Sequence, residues 1–566
     1  MRLTLYTANQ QPRGGTAGLV VATRLSEDPS QHTILLEAGA DLSGDPRVKT
    51  PALYGALLKS EADWGFQTEP QPNLNGRSIN LHQGRTLGGS SAINAEVFVP
   101  PTTGSLNSWE ALGNDGWNWS SLQKYYVKAF TPPTVDGELK RILGIDDPNG
   151  PLQLSYAGDL EHPIRQAWAA TFKEKGYHIS NDPFLGISVG AFSYRPSLVV
   201  LTNAVVERIL SEDVGSDYTK ATGVQYAHNG RTETITTRKE VILAAGVLQS
   251  PKVLELSGIG NATLLKSHGI KPVQDLPGVG ENIHDHLICG ASFEAIDNLE
   301  TLDAIVRQEP EALGKAMQDY ASQSGLLTSV GIHTYAYLPV VEYLSDEGRE
   351  TVKQLLSHHR PSSVGSDPND IRQQVLPVDP NSNSPSGPVP GKFLTLGVML
   401  SQPLSRGSVH IASRFRHQHR RLILSNDPLT APAIDPNYLS HPVDVEVLAQ
   451  HMRYLDNIAK SSPFSELLKQ PLSRRDPASR FPDIEAAKKY VSTSAISMWH
   501  LGGTCAMLPK EKGGVVSPKL KVYSVDNLRV VDSSAIPLIG TANLQSTVYA
   551  FAERAADLIK QDYGLK

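Results

Sequence analysis

Hydrophobic positions near the start of the chain form two runs separated by polar residues. The apolar stretch 17–25 follows the small residues Gly14 to Thr16 and has the length of a helix of about ten residues. The shorter run 32–36 ends in Glu37, as a buried strand would. This order predicts the helix and second strand of a βαβ nucleotide-binding unit. Glu37 follows Gly18 by 19 residues, close to the roughly 20 expected for a carboxylate that binds a ribose.

The first half of this unit departs from the usual pattern. An apolar segment, 3–6, is followed by the polar residues 8–12, and Arg13 stands where the first glycine of the G-x-G-x-x-G fingerprint belongs. That glycine makes the tight turn after the first strand. The sequence therefore predicts an altered turn, and a chain that lost the strand itself would leave the central sheet with an exposed edge.

Further along the chain, the apolar pattern predicts strands over 203–210 and 240–245 and a helix that begins at Ser250 and ends before Gly258. Alternation over 405–411 indicates another strand. Between 362 and 392 the composition shifts to Pro, Ser, Asn and Asp, which predicts a long exposed loop.

Composition and charge narrow the class of protein. The chain has 566 residues, of which 40% are hydrophobic and 19% charged, enough for a large core shared by more than one domain. Its 52 basic and 58 acidic residues give a net charge of −6, so nucleic acid is not an expected partner. The two cysteines, Cys289 and Cys505, are too few for a disulfide framework or a four-cysteine zinc site, and no metal is predicted.

The sequence also predicts no membrane-spanning segment and no secretory signal. No run of about 18 apolar residues is present, so no membrane association is predicted. Residues 1–13 lack the apolar core of a secretory signal. The chain as given is therefore predicted to be cytoplasmic, or secreted if its true N-terminus differs.

A second glycine-rich motif runs from Gly84 to Asn94. The pair Gly88 and Gly89 lets backbone approach a phosphate closely, and Ser90 and Ser91 are placed to cap a following helix. Free N–H groups at such a helix start would attract an anion. The motif predicts a phosphate-binding loop.

Taken together, the motifs resemble those of the glucose–methanol–choline (GMC) oxidoreductases, flavoenzymes that oxidise alcohols, and in particular the fungal aryl-alcohol oxidases and dehydrogenases. The matching segments follow the family's order along nearly the whole chain: 84–101, 246–260, 277–286, 499–507 and 528–537. The stretch 189–197 is shorter than the passage that family members carry there. Several separated motifs in the right order make a chance match improbable.

The resemblance implies an α/β fold in which a Rossmann-like FAD-binding domain is joined to an α+β substrate domain built on an antiparallel sheet. It divides the chain into discontinuous parts. Residues 1–155, 198–295 and 495–566 would form the FAD-binding domain, and residues 156–197 and 296–494 the substrate domain.

The same resemblance implies which residues bind FAD. Ile93 occupies the position where some members carry a histidine bonded to flavin, so the cofactor should be held non-covalently. The residues that match the family's cofactor contacts are Gly15, Thr16, Gly18, Glu37, Arg85, Gly88, Gly89, Ser91, Asn94, Val206, Asp532 and Ala542.

His500 and Asn543 match the family's catalytic pair. Hydride transfer from an alcohol needs a base for the hydroxyl proton, and an imidazole of near-neutral pKa suits that role. The amide of Asn543 would position the substrate oxygen. We expect oxidation of a primary alcohol, aromatic or from secondary metabolism, with oxygen or a quinone-like molecule as electron acceptor. Cys505 is expected in the core, and His268, His284 and His286 are expected to be structural.

Two other interpretations stay open. A non-redox cyclase or isomerase of secondary metabolism could use His500 for acid–base work on the same scaffold, with flavin structural or absent. A degenerate chain could serve only as a binding protein. The sequence leaves the oligomeric state open.

Overall fold

A computed structural model describes most of the chain: residues 3–7, 14–131, 150–156, 162–176, 186–188, 198–215, 218–331, 336–339, 344, 346–358, 372–378, 389–412, 414–415, 422–423, 428 and 430–565. Arg13 and the short stretch 189–197 lie outside the described residues. So does most of the loop predicted between 362 and 392.

The described helices are, in chain order, α1 Thr16–Leu25, α2 Pro46–Lys49, α3 Thr103–Ala111, α4 Trp119–Ala129, α5 Pro163–Glu174, α6 Ser250–Leu256, α7 Ala262–Ser267, α8 Asp303–Val306, α9 Pro310–Ala321, α10 Asp346–His358, α11 Pro442–Ala459, α12 Ile484–Ser494 and α13 Leu544–Tyr563. None of them combines the length and apolarity needed to cross a bilayer.

The described strands are β1 Leu3–Thr7, β2 Gln31–Leu36, β3 Phe66–Gln67, β4 Asn80–Leu81, β5 Val97–Phe98, β6 Phe130–Thr131, β7 Leu152–Tyr156, β8 Gly186–Ser188, β9 Leu198–Leu201, β10 Ala204–Gly215, β11 Tyr218–His228, β12 Arg231–Thr236, β13 Glu240–Leu243, β14 Ile259–Gly260, β15 Gln274–Asp275, β16 Glu281–Ile283, β17 Leu287–Glu294, β18 Ala336–Pro339, β19 Arg372–Val378, β20 Phe393–Leu400, β21 Gly407–His410, β22 Arg414–Phe415, β23 Leu422–Ile423, β24 Ala433–Asp435, β25 Ile496–Ser497, β26 Val525–Asp526 and β27 Leu528–Val530.

A five-stranded parallel sheet organises the cofactor half of the molecule. Its order is β27-β13-β1-β2-β9, and β1 lies at the centre, with Tyr6 opposite Ile34 on one side and Val241 on the other. The first strand is therefore in place despite the polar residues that follow it. The strand–helix–strand order β1, α1, β2 confirms the predicted βαβ unit and its α/β architecture.

Helix α1 lies between this sheet and the C-terminal helix α13. Ala17, Val20 and Val21 turn their apolar side chains into a core that also contains Phe551 and Ala555 of α13. The same core takes in Trp109 and Trp117, both fully buried. It draws its members from 17–154, 204–279 and 505–559.

A second sheet, order β18-β19-β20-β17-β25, is antiparallel throughout. Strand β20 is buried at every position, and the helices α11 and α12 share its core. This core draws mainly on 164–172 and 287–495. Strand β19 corrects the prediction of an uninterrupted loop over 362–392, because residues 372–378 pair with β20 although their flanks are rich in proline and serine.

A buried ion cluster joins the parallel sheet to α13. Arg529 on β27 is 1% exposed, and it donates to Glu240 at 2.9 Å and to Asp562 at 2.7 Å. We expect Arg529→Met to lower the free energy of unfolding by about 3–5 kcal/mol, because it leaves Glu240 buried without its counter-charge. Urea denaturation measures the change, with Arg208→Met, at an exposed position of β10, as the control. Equal losses in the two variants would contradict this account.

An imidazole held between two carboxylates predicts a pH dependence of stability. His410 on β21 bonds Glu255 at 2.7 Å and Glu281 at 3.1 Å. Burial lowers the pKa of His410, but the two carboxylates outweigh burial and raise it to about 9. Because the folded-state pKa exceeds the unfolded value, the stabilisation is complete below about pH 6.5 and is lost as the pH rises through 9.

We therefore expect wild type to exceed His410→Gln in unfolding free energy by up to about 3 kcal/mol near pH 6. The difference should shrink towards pH 9 and above. Thermal melts of both proteins from pH 6 to 10 measure it, with His228→Gln as the matched control. A difference that stays constant over this range would mean that protonation of His410 does not contribute.

Candidate active site

One cavity of about 720 Å³ brings the two groups of predicted residues together. Its wall includes the predicted cofactor contacts Gly15, Thr16, Gly89, Ser91, Asn94 and Asp532, together with the predicted catalytic pair His500 and Asn543. These residues come from two distant parts of the chain, 15–94 and 500–543. The fold thus places the predicted phosphate-binding loops and the predicted catalytic pair in the wall of one cavity.

Two glycine loops meet at the cofactor end of the cavity. The backbone N–H of Gly88 donates to the Gly14 carbonyl at 2.6 Å, and a Cβ on Gly89 would lie 2.7 Å from the Cα of Gly15. Gly89 also has a φ of +54°, which L residues adopt only with strain. Only glycine fits here, and the absence of side chains leaves the backbones of Gly15 and Gly89 at the cavity wall.

Ser90 and Ser91 do not cap an α-helix. The chain forms a short 3-10 helix, Gly89–Ala92, and Ser91 donates to the Gly88 carbonyl at 2.6 Å while Ser90 accepts from the Gly84 N–H at 3.2 Å. The predicted helix start is therefore wrong. The positive φ values at Gly88 and Gly89 turn the backbone back before an α-helix can form.

Two buried carboxylates fix the backbone at strand ends. Asp532 follows β27 and accepts from the Gly246 N–H at 2.9 Å and from the Ser250 hydroxyl at 2.6 Å. Burial raises the pKa of Asp532. Glu37 follows β2 and accepts from the Gly39 N–H at 2.8 Å. Both carboxylates lie at the carboxyl edge of the parallel sheet, where nucleotides bind in such folds.

Several predicted cofactor residues lie behind the cavity wall. Gly18 is buried within α1, Val206 is buried on β10, and the Arg85 guanidinium stacks 4.6 Å from the centre of the Trp64 ring. The residues predicted as contacts that do not line the cavity are Gly18, Glu37, Arg85, Gly88, Val206 and Ala542. Their role as cofactor contacts stays a prediction.

The predicted catalytic pair, His500 and Asn543, is in contact in this cavity. The distance from Asn543 Nδ2 to His500 Nε2 is 3.3 Å. Asn543 immediately precedes α13, and His500 follows the short strand β25. Burial lowers the pKa of His500 to about 4, below the near-neutral value expected from the sequence. The imidazole is therefore neutral at pH 7, with a ring nitrogen able to accept a proton.

A second histidine, which we expected to be only structural, contacts His500. The Nδ1 atoms of His286 and His500 are 3.0 Å apart, so one of them carries the shared proton. Burial lowers the pKa of His286 well below 6.5. His286 is thus part of the site, and the signal that could have revealed it was its place in the segment 277–286, which resembles a family motif.

The backbone around His500 is held by Asp285. This carboxylate accepts from the His500 N–H at 2.8 Å, from Ser497 Oγ at 2.5 Å and from Tyr438 at 2.7 Å. Burial raises the pKa of Asp285 to about 6. Trp499, at a φ of +59°, is fixed by its indole N–H donating to the Asn80 carbonyl at 3.0 Å. The position of His500 is therefore strongly constrained.

Sequence reasoning missed several titratable groups in the cavity wall, among them His82 and Glu96. His82 bonds Asp63 at 2.5 Å and packs edge-on against Trp499. Glu96 lies just beyond the glycine–serine loop, inside a segment that resembled the family signature, but no motif identified its carboxyl group. Cys505 is fully buried in the core, as expected. Within the described ranges, no group of His, Cys, Asp and Glu side chains could hold a metal ion.

Comparisons with known proteins agree with this geometry. The N-terminal profile of the GMC oxidoreductases matches residues 12–184 and 189–288, and the C-terminal profile matches 403–552. The dehydrogenase mpl7 of Monascus purpureus is 32% identical over 615 aligned positions, covering 97% of this chain and 95% of the relative.

Solved structures extend the likeness to the whole fold. An FAD-dependent oxidoreductase from Chaetomium thermophilum is 27% identical with a TM-score of 0.82, and the match covers all of both chains. A formate oxidase from Aspergillus oryzae is 25% identical with a TM-score of 0.86, covering 100% of this chain and 99% of the other. The family profiles match the N-terminal and C-terminal parts of this sequence, and the Monascus relative and the solved structures match nearly its full length. The chain therefore belongs to the GMC oxidoreductase family.

Proposed function

We propose that this protein oxidises a primary alcohol, with His500 as the base and Asn543 as the group that positions the alcohol oxygen. The observation that carries the proposal is the 3.3 Å contact between His500 Nε2 and Asn543 Nδ2 in the cavity that also reaches the glycine loops. The chain is an FAD oxidoreductase by family, so its substrate is a small molecule. We propose, beyond this, that the substrate is an alcohol and that His500 and Asn543 have the roles given above.

The residues present fit FAD. The cofactor end of the cavity is walled by Gly15 and Gly89, whose backbones approach too closely for side chains. Thr16 starts α1 behind a Gly15 N-cap that forms no side-chain hydrogen bond, which suits a pyrophosphate. Ile93, 4% exposed, has no nucleophile for a flavin bond, so we propose non-covalent binding. FAD, when bound, supplies the hydride acceptor.

The proton would move to His500. Asn543 Nδ2 is a donor, so His500 Nε2 must be the acceptor of this pair, and the ring proton then lies on Nδ1 facing His286. A substrate hydroxyl that takes the place of this direct bond would accept from Asn543 and donate to Nε2. This arrangement both fixes the oxygen and provides the base for its proton.

The rest of the cavity wall would enclose the substrate. Beyond His500, the wall continues along β17, β20 and α12 through Ile288, Thr395 and Tyr490. These residues belong to the half of the molecule that contains the antiparallel sheet.

We propose that the chain divides into domains as predicted, with 1–155, 198–295 and 495–566 forming the FAD-binding domain. The separate apolar cores support this division, although β17 packs in the second core.

For the electron acceptor we propose oxygen or a quinone-like molecule. Similar proteins named above include both a dehydrogenase and an oxidase. Assays in air and with a quinone dye under nitrogen separate the two.

The experiment that tests the function is anaerobic mixing of the FAD-loaded protein with benzyl alcohol and a panel of aliphatic primary alcohols. We expect the flavin absorbance to bleach and an aldehyde to appear in equal amount. Conversion of a substrate while the flavin stays oxidised would contradict the proposal and favour the cyclase or isomerase instead.

A further inference from the structure

The wall of the active-site cavity contains a carboxyl group that the proposed reaction does not use. Glu96 has a φ of +54°, in the left-handed region that non-glycine residues rarely adopt. Its backbone N–H donates to the side chain of Asn94 at 2.8 Å, which holds this conformation. Strained residues of this kind concentrate at functional sites.

No protein group in the described part of the chain satisfies this carboxyl. Its Oε2 atom is buried without a hydrogen-bond partner. Burial, with no opposing counter-charge, raises the pKa of Glu96 to about 7. A buried polar group with no partner costs about 1–3 kcal/mol, so the site is incomplete until something else bonds to it.

Its neighbours place Glu96 close to the predicted catalytic pair. The preceding Ala95 packs with Tyr54 and Val330, while the following Val97 packs with Ala542, next to Asn543. Asn94, two residues before Glu96, donates to Gln545 at 3.0 Å. Glu96 therefore shares the cavity wall with His500 and Asn543, so a substrate bound by that pair would lie in the same cavity as the carboxyl.

The chemistry of the carboxyl limits what it can bind. An ionised carboxylate only accepts hydrogen bonds, whereas the neutral acid also donates one. A hydroxyl group pairs with both forms because it donates and accepts. An ammonium group pairs only with the ionised form.

We propose that Glu96 is a specificity-determining residue that selects alcohols carrying a second hydroxyl, phenolic or alcoholic, remote from the carbon that is oxidised. The inference rests on the proposed function, since it assigns the substrate class of the same cavity. An alcohol without this second group would leave the carboxyl buried and unpaired, and sites of that kind reject such analogues strongly.

The test compares the three hydroxybenzyl alcohols with the corresponding methylbenzyl alcohols, which have nearly the same shape. For at least one ring position we expect wild-type kcat/KM to favour the hydroxyl by roughly tenfold to a hundredfold. Glu96→Met should abolish this preference, because it keeps the length of the side chain but removes its polar atoms. Glu96→Gln should retain most of it, because an amide also donates and accepts.

Dissociation constants for the same alcohols, measured by calorimetry on FAD-loaded His500→Ala protein, give a readout that does not depend on turnover. These constants should show the same preference for the hydroxyl over the methyl compounds.

If no alcohol bleaches the flavin but the binding preference is present, the proposed function fails and the assignment of Glu96 stands. Equal binding of hydroxyl and methyl partners by wild type, or an unchanged preference in Glu96→Met, overturns it. A shifted flavin spectrum in Glu96→Met with unchanged preference would assign the carboxyl to the cofactor and overturn it as well.

Discussion

Replacing His500 with alanine is expected to slow the reduction of flavin by an alcohol by at least roughly a hundredfold, the usual minimum contribution of a positioned base. His500 Nε2 faces Asn543 in the cavity, and burial keeps the imidazole neutral by lowering its pKa to about 4. Alanine removes the proton acceptor. Stopped-flow absorbance under anaerobic conditions measures the rate directly.

The control for this variant is His268→Ala, on the C-cap of α7, a histidine that does not line the cavity. It should reduce flavin at the wild-type rate. FAD content must remain near one per chain in both variants, because neither substitution changes the glycine loops that we expect to hold the pyrophosphate. A His500→Ala rate within a factor of two of wild type would mean that another group accepts the proton.

The second large effect is expected from Gly89→Ala, which should raise the dissociation constant of FAD by roughly a hundredfold, or about 3 kcal/mol. The new methyl group would lie 2.7 Å from the Gly15 backbone, and alanine would have to adopt a φ of +54°. Both effects force apart the two loops that form the pyrophosphate end of the cavity. Flavin absorbance after addition of FAD and desalting measures retention.

Gly104→Ala is the matched control for this change, because a Cβ at Gly104 in α3 meets no atom within 4 Å. It should retain FAD as wild type does. If Gly89→Ala kept its FAD through desalting equally well, the close approach of these loops would not be what shapes the cofactor site.

The parts of the fold that could be predicted from the sequence are those with short-range signals. The runs 17–25 and 32–36 have the lengths of α1 and β2, and the second run placed Glu37 correctly just after β2. Strand β1 was harder, because its place at the centre of the sheet depends on pairing with β13, more than 200 positions away. The missing first glycine of the fingerprint, replaced by Arg13, gave no information about this pairing.

Within the site, the family motifs identified His500 and Asn543, and the fold brought them into contact. They did not reveal His286, because a histidine next to an aspartate is compatible with a purely structural role until its distance to His500 is known. Nor did they reveal Glu96. Its significance depends on burial without a partner, which is a property of the assembled cavity and not of any local pattern.

The most direct test of the central claim uses a hydroxybenzyl alcohol and its form with two deuterium atoms on the reacting carbon, in anaerobic single-turnover mixing with the FAD-loaded protein. If the chain oxidises alcohols by transferring the α-hydrogen to flavin, the absorbance must bleach, and it must bleach more slowly with the deuterated alcohol in wild type. Bleaching at equal rates for the two alcohols, or aldehyde formation with the flavin absorbance unchanged, would contradict the account.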